Sequence, residues 1–150
     1  MNSFLILVFF VFCDLITKFF VKNNFLLNES KQLNQFLDLV YVQNYGVSFG
    51  LLSGLVSYWI LVIVGILITV LIYYLMIRSN KRLEKLAYFI IIIGALSNIL
   101  DRIINSYVVD FISLHYNNFY WPAFNLADIY ITIGIIMLII SFFIKSEEPK

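Results

Sequence analysis

YWILVIVGILITVLIYYLMI, residues 58–77, runs for twenty positions without a charged side chain. At about 1.5 Å of rise per residue, a helix of this length covers the roughly 30 Å hydrocarbon core of a bilayer. The stretch therefore predicts a membrane-spanning helix. Its C-terminal flank, RSNKRLEK at residues 78–85, places four basic residues and one acid in eight positions. A short cationic loop of that kind is expected on the cytoplasmic side. Beyond it, residues 86–104 predict a further span, 105–122 an outer segment, and 123–144 a last span followed by the polar tail KSEEPK. On the other side, residues 4–21 form an apolar run interrupted by Asp14, Thr17 and Lys18. No small-residue cleavage site follows it, so it is expected to stay in place as the first span.

Residues 22–57 are of mixed composition. NNFLLNESKQLNQ is polar, and FLDLVYVQNYGVSFGLL alternates partially with period two, broken by Asn44, Gly46, Gly50 and Gly54. This pattern suits a small strand or hairpin element outside the membrane. The expected fold class is an all-α membrane protein: one domain, four transmembrane helices, and an extracytoplasmic β-element between the first and second. Both termini then lie inside, and both longer connections outside.

Composition agrees. Of 150 residues, 62% are hydrophobic and 13% charged, against about half and a quarter in soluble domains. The net charge of +1 supplies no field to attract nucleic acid. Cys13, the single cysteine, excludes an internal disulfide and any cysteine-based metal site. His115, the single histidine, excludes a multi-histidine metal site. It is expected in an interfacial loop with Tyr116, Tyr120 and Trp121 as an aromatic belt.

Function must then come from individual polar residues in or beside the spans, where ionisable groups are costly and rare. Asp14 and Lys18 stand at i, i+4 on the first span, in the favourable order for an ion pair. Lys18 lies near the outer end, where it can extend to the interface while Asp14 stays deeper; a structural pair and a lipid-headgroup contact both suit that placement. On the third span Gly94, Ser97, Asn98 and Asp101 share a face, with Arg102 beside it. That face reads equally as a small-residue packing seam and as the wall of a site. Asp110 sits within VVDFI (108–112), a β-prone run. Asn125, Asp128 and Thr132 face one way along the start of the fourth span, which Pro122 is placed to open. The topology puts Asp110 and Asp128 at the same outer boundary, joined by a loop that turns back. Two carboxylates that meet cannot both ionise easily. One keeps a proton and can polarise a carbonyl, while the other activates a water.

The motifs Asp14-x-x-x-Lys18, Asn44-Tyr-Gly46-Val-Ser-Phe49, Gly94-Ala-Leu-Ser-Asn98-Ile-Leu-Asp101-Arg102, Val108-Val109-Asp110-Phe111 and Phe124-Asn125-Leu-Ala127-Asp128, in that order, resemble those of the bacterial lipoprotein signal peptidases, signal peptidase II. The resemblance covers residues 10–140. It implies an aspartic endopeptidase of the bacterial cytoplasmic membrane, with its site at the extracytoplasmic face, that cuts prolipoproteins just before a diacylglyceryl-modified cysteine. It implies Asp110 and Asp128 as the catalytic pair, with Asn44, Gly46, Asn98, Asn125, Asp101 and Arg102 around them and Asp14 and Lys18 in support. No metal or other cofactor and no nucleic acid are expected; membrane lipid and lipid-modified prolipoproteins are the expected partners of a monomer. Two departures stand in the third span, where the family carries Gly-Gly and Gly-Asn and this chain has Ile93-Gly94 and Ser97-Asn98. The alternative from another class is a small proton- or ion-coupled transport protein with the acids as relay groups. A relay needs ionisable groups at every depth, whereas these acids cluster at the outer edge.

The orientation is testable by labelling. A cysteine introduced at Ser79 should resist membrane-impermeant thiol reagents in intact cells, and one at Ser30 should react. The opposite pattern would put the aspartates on the cytoplasmic side.

Overall fold

The computed structural model describes residues 2–46 and 56–144. Positions 47–55, which hold Val47, Ser48, Phe49, Gly50 and Gly54 of the sequence reading, and the tail 145–150 lie outside the described residues. The elements are α1 (Ser3–Asn24), β1 (Ser30–Asn34), β2 (Leu37–Asn44), α2 (Tyr58–Arg78), α3 (Arg82–Asn105), β3 (Val108–Tyr116), β4 (Phe119–Tyr120) and α4 (Leu126–Phe143). All four helices are long and apolar enough to cross a membrane. Their exposed Phe, Leu, Ile and Val side chains, Phe9, Ile63 and Ile139 among them, suit contact with lipid tails.

Helix α3 is the centre, packed against α1, α2 and α4. It is the helix with the most inward-facing residues, from Ala87 through Ile91, Gly94 and Ser97 to Asp101. Small residues permit its close approach to α4. A Cβ at Gly94 would run into the backbone carbonyl of Ala127, and one at Gly134 would meet Ile91 and the carbonyl of Ala87. With lipid tails as apolar as leucine, close packing of this kind drives helix association in a bilayer.

The β-element is larger than a hairpin in the first connection. Four antiparallel strands run in the order β1-β2-β3-β4, and the longest, β3, belongs to the second connection. Its apolar residues explain why: Val109 and Phe111 are buried with Tyr41 of β2 and Val21 of α1 in one cluster, with Phe25, Tyr107 and Leu126 packed on it. The sheet thus sits at the end of the bundle where α1 and α3 finish and α4 begins. A left-handed residue, Ser106 (φ 67°), turns the chain out of α3, its N–H bonded to the Arg102 carbonyl at 2.9 Å.

Pairing along β3 continues past the hairpin. The Phe124 N–H donates to the Ile112 carbonyl at 2.9 Å, and the N–H groups of Phe111 and Ile112 donate to the Phe124 carbonyl at 3.0 and 2.8 Å. Held extended here, the chain enters its helix at Leu126 rather than at Pro122, with Asn125 as N-cap.

If α3 and α4 touch as described, Gly94→Ala lowers the melting temperature in detergent, at an overpacking cost of about 1–3 kcal/mol. Gly65→Ala, where a Cβ meets only the Ile99 side chain, should cost far less. Equal melting temperatures would contradict the contact.

Candidate active site

Four elements, β2, β3, α3 and α4, converge where the sheet meets the helices. Strand pairing sets Val42 opposite Asp110 and Asn44 opposite Val108. Asn44 and Asp110 are therefore diagonal neighbours on one face of the sheet, and Asn44 Nδ2 donates to Asp110 Oδ2 at 3.0 Å. On the other side Asn125 Nδ2 donates to Asp110 Oδ1 at 2.6 Å. Asn125 also caps α4: its Oδ1 accepts from the Asp128 N–H at 3.0 Å, and Asp128 Oδ2 accepts from the Asn125 N–H at 3.2 Å. This reciprocal pair is a capping box. One asparagine therefore bonds to both carboxylates, and helix capping is part of how the Asp128 carboxylate is placed.

The remaining oxygen, Asp128 Oδ1, accepts from Asn98 Nδ2 at 2.9 Å. Behind it the Lys18 ammonium donates to Asn98 Oδ1 at 2.8 Å and pairs with Asp14 Oδ2 at 2.8 Å and Asp101 Oδ2 at 3.4 Å. Lys18 is 1% exposed; it points into the helix bundle and does not extend to the membrane interface. A buried ammonium has three protons to satisfy, and inward it meets three oxygens, on Asp14, Asn98 and Asp101.

Asp14 and Asp101 each have a second role. Asp14 Oδ1 accepts the Ala127 N–H in the first turn of α4 at 3.0 Å. Asp101 accepts the Val109 N–H at the start of β3 at 2.8 Å and Asn105 Nδ2 at 2.6 Å. Asp101 thus clasps the strand that carries Asp110. Arg102, its sequence neighbour, points elsewhere: its Nη2 donates to the Gly46 carbonyl at 2.8 Å. Gly46 in turn donates its N–H to Asn44 Oδ1 at 2.9 Å. The buried Arg102 Nε has no acceptor among the described residues.

Asp110, Asp128, Asn44, Asn98 and Arg102 all face one cleft of about 640 Å³. Asn125, Gly46, Asp101, Asp14 and Lys18 stand behind them. Thr132, read from sequence on the same face as Asp128, lines the cleft too; the rest of the wall is apolar and was not read from sequence as part of a site: Leu114, Trp121, Pro122 and Phe124 on the sheet side, and Ile129, Ile131 and Ile133 on α4. Trp121, read from sequence only as a belt residue, lines the cleft. His115 lies in β3, not in a loop; its Nε2 meets Asp38 Oδ1 at 3.1 Å and its ring stacks on Tyr120. Among the described residues no group of three His, Cys, Asp or Glu could hold a metal ion.

Burial, and next the Asp128 charge, push the Asp110 carboxyl from 3.8 up to about 7, against the pull of its Asn44 and Asn125 hydrogen bonds. Near neutral pH this group keeps a proton for a substantial part of the time. It sits beside a second carboxylate in a cleft with an apolar wall, an arrangement able to hold and transfer a proton against a bound carbonyl.

A family described as signal peptidase (SPase) II matches residues 6–144. A lipoprotein signal peptidase of Yersinia enterocolitica is 41% identical over 145 residues, covering 94% of this chain and 86% of that protein. One from Clostridium novyi is 38% identical over 138 residues, covering 91% and 93%. With the relative from Rickettsia akari, identity is 46% over 110 residues; the match takes in 72% of this chain and 56% of that longer protein. Among solved structures, a bacterial membrane enzyme determined by the in meso method at 2.3 Å resolution superposes with a TM-score of 0.86 at 31% identity, covering 99% of this chain and 94% of that one.

The raised Asp110 value has a consequence for stability. Between about pH 4 and 7 the folded state holds a proton that the unfolded chain has lost, so stability falls as pH rises through that window. The melting temperature in detergent should drop across it, and Asp110→Asn should flatten that part of the curve. An unchanged slope in the variant would contradict the assignment.

Proposed function

The chain belongs to the signal peptidase II family of membrane peptidases, and from that premise we propose that it removes signal peptides from prolipoproteins by aspartic chemistry at Asp110 and Asp128. The observation that carries the proposal is the pair of carboxylates bonded to one asparagine, Asn125, and facing one cleft. Asp110, the member pushed up to about 7, starts protonated and donates to the scissile carbonyl oxygen. Asp128 takes a proton from a water, whose oxygen attacks the carbonyl carbon. In the resulting gem-diol, Asp128 returns its proton to the amide nitrogen, the C–N bond breaks, and Asp110 recovers its proton as the new carboxylic acid forms.

Three amide groups present only donors to the two carboxylates, which holds them in place without a metal or other cofactor. Arg102, with a buried Nε lacking an acceptor among the described residues, is placed to receive a carbonyl oxygen of the substrate. The apolar wall from Leu114 to Phe124 and along α4 suits a lipid-bearing residue, and cleavage just before a diacylglyceryl cysteine fits it. Both carboxylates and all three asparagines come from one chain, which supports action as a monomer in membrane lipid. The cationic loop at 78–85 supports a cytoplasmic-membrane location with the cleft on the extracytoplasmic side.

Asp110→Asn and Asp128→Asn should each lower kcat by at least about a thousandfold while the protein still melts cooperatively, and the double variant should be no worse than either single, because such groups act as a unit. Near-normal turnover of lipid-modified prolipoprotein by either single variant would sink the assignment.

A further inference from the structure

We propose that Lys18 is a positioning residue for Asp128 and acts through Asn98: the ammonium holds the Asn98 carbonyl, so that the amide always presents its NH2 to the Asp128 carboxylate. The inference rests on the aspartic reading above. It starts from the two ends of a primary amide, which are nearly alike in size but opposite in hydrogen-bonding sense. A carboxylate facing NH2 stays an acceptor. Facing the carbonyl end, it must carry a proton.

Each asparagine at the site has its Oδ1 engaged by a group that can only donate. For Asn44 the donor is the Gly46 N–H, and for Asn125 it is the Asp128 N–H. Both lie at a strand end or a helix cap, where backbone N–H groups are free to serve. Asn98 lies inside α3, where the backbone N–H groups are committed to the helix, and a donor must come from another element. Lys18 of α1 supplies it at 2.8 Å. If the amide turned over, NH2 would face ammonium and carbonyl would face carboxylate, two repulsive contacts in a dry interior.

The charged groups around this link account for a cation so deep in the bundle. Asp14 on α1 and Asp101 on α3 are its counter-ions, Asp128 on α4 lies beyond Asn98, and Arg102 on α3 and Asp110 on β3 complete the set lining or backing the cleft. Both counter-ions also hold backbone N–H groups of the segments that carry the acids, Ala127 of α4 and Val109 of β3. Lys18 therefore touches no reacting atom, yet it determines which face of Asn98 Asp128 meets.

The test uses the purified chain in detergent with lipid-modified prolipoprotein. Asp14→Asn serves as background, so that removing the lysine does not strand its nearest counter-ion. Relative to that background, adding Lys18→Met should lower kcat by about tenfold to a hundredfold, the scale of losing a group that orients a primary ligand, with KM within about twofold. The acid limb of the pH–rate profile should move to higher pH, because a turned amide requires a proton on Asp128. Combined with Asn98→Leu, the Lys18→Met loss should largely vanish, since both act at one link. A loss that multiplies with that of Asn98→Leu, or a profile of unchanged shape, overturns the proposal. If the Lys18→Met protein does not melt cooperatively, Asn98→Asp decides. It is isosteric, keeps an acceptor for Lys18, and sets oxygen against Asp128. Its kcat should fall by about tenfold to a hundredfold, most at acid pH, with the acid limb moved to higher pH, because a proton shared with the new carboxylate leaves Asp128 unable to take one from water; a constant ratio to wild type at every pH overturns the proposal. Turnover by Asp110→Asn would refute the acid pair itself, an outcome read independently of this cycle.

Discussion

A lysine ammonium buried among three helices is the constraint on which the rest of this molecule depends. Lys18 spends its three protons on Asp14, Asn98 and Asp101, so α1 is tied to α3 by charge as well as by packing. Its two counter-ions each reach a backbone N–H at the start of another element, Ala127 in α4 and Val109 in β3. Leaving one partner of such a buried pair alone costs about 3–5 kcal/mol. The register of α1 against α3, the entry of α4 and the start of β3 are therefore set together, and these are the segments that carry the two cleft aspartates.

From that hub the polarity of the site propagates outward in one sense. Lysine and backbone donors occupy the three amide oxygens, and the three NH2 groups turn toward Asp110 and Asp128. With the Asn125 backbone N–H on Asp128 Oδ2, each of the four carboxylate oxygens has a donor, and among the described residues neither acid is held by a direct cation. That balance is what lets burial and mutual repulsion keep a proton on Asp110 near neutral pH. A guanidinium paired with either carboxylate would favour its ionised form and remove that proton. Arg102 is kept off them by its bond to the Gly46 carbonyl.

Much of this was legible in the sequence, and the illegible parts share a cause. Span 58–77 is decided by length and lack of charge, both local quantities, and Asp110 and Asp128 were brought together by topology alone. Lys18 was not placed correctly, because a lysine one turn from a helix end can extend to the interface or turn inward with the same i, i+4 acid beside it. Only the partners on α3, eighty residues away for Asn98, choose between them. The second connection showed a β-prone run around Asp110 but not its pairing with β2, since strand partners are non-local. For the same reason Pro122 suggested a helix start that the Phe124–Ile112 bonds postpone to Leu126. Arg102, adjacent to Asp101 in sequence, bonds elsewhere, because neighbours on a helix do not face each other.

The most direct measurement is mass spectrometry of the products when the purified chain, in detergent, meets a prolipoprotein with and without its diacylglyceryl group. The account predicts one cut in the modified substrate, leaving a free carboxyl on the residue before the lipid-bearing cysteine and a free amino group on that cysteine, with the unmodified substrate left whole. Cleavage at another bond, equal cleavage of both substrates, or no release of the signal peptide would contradict it.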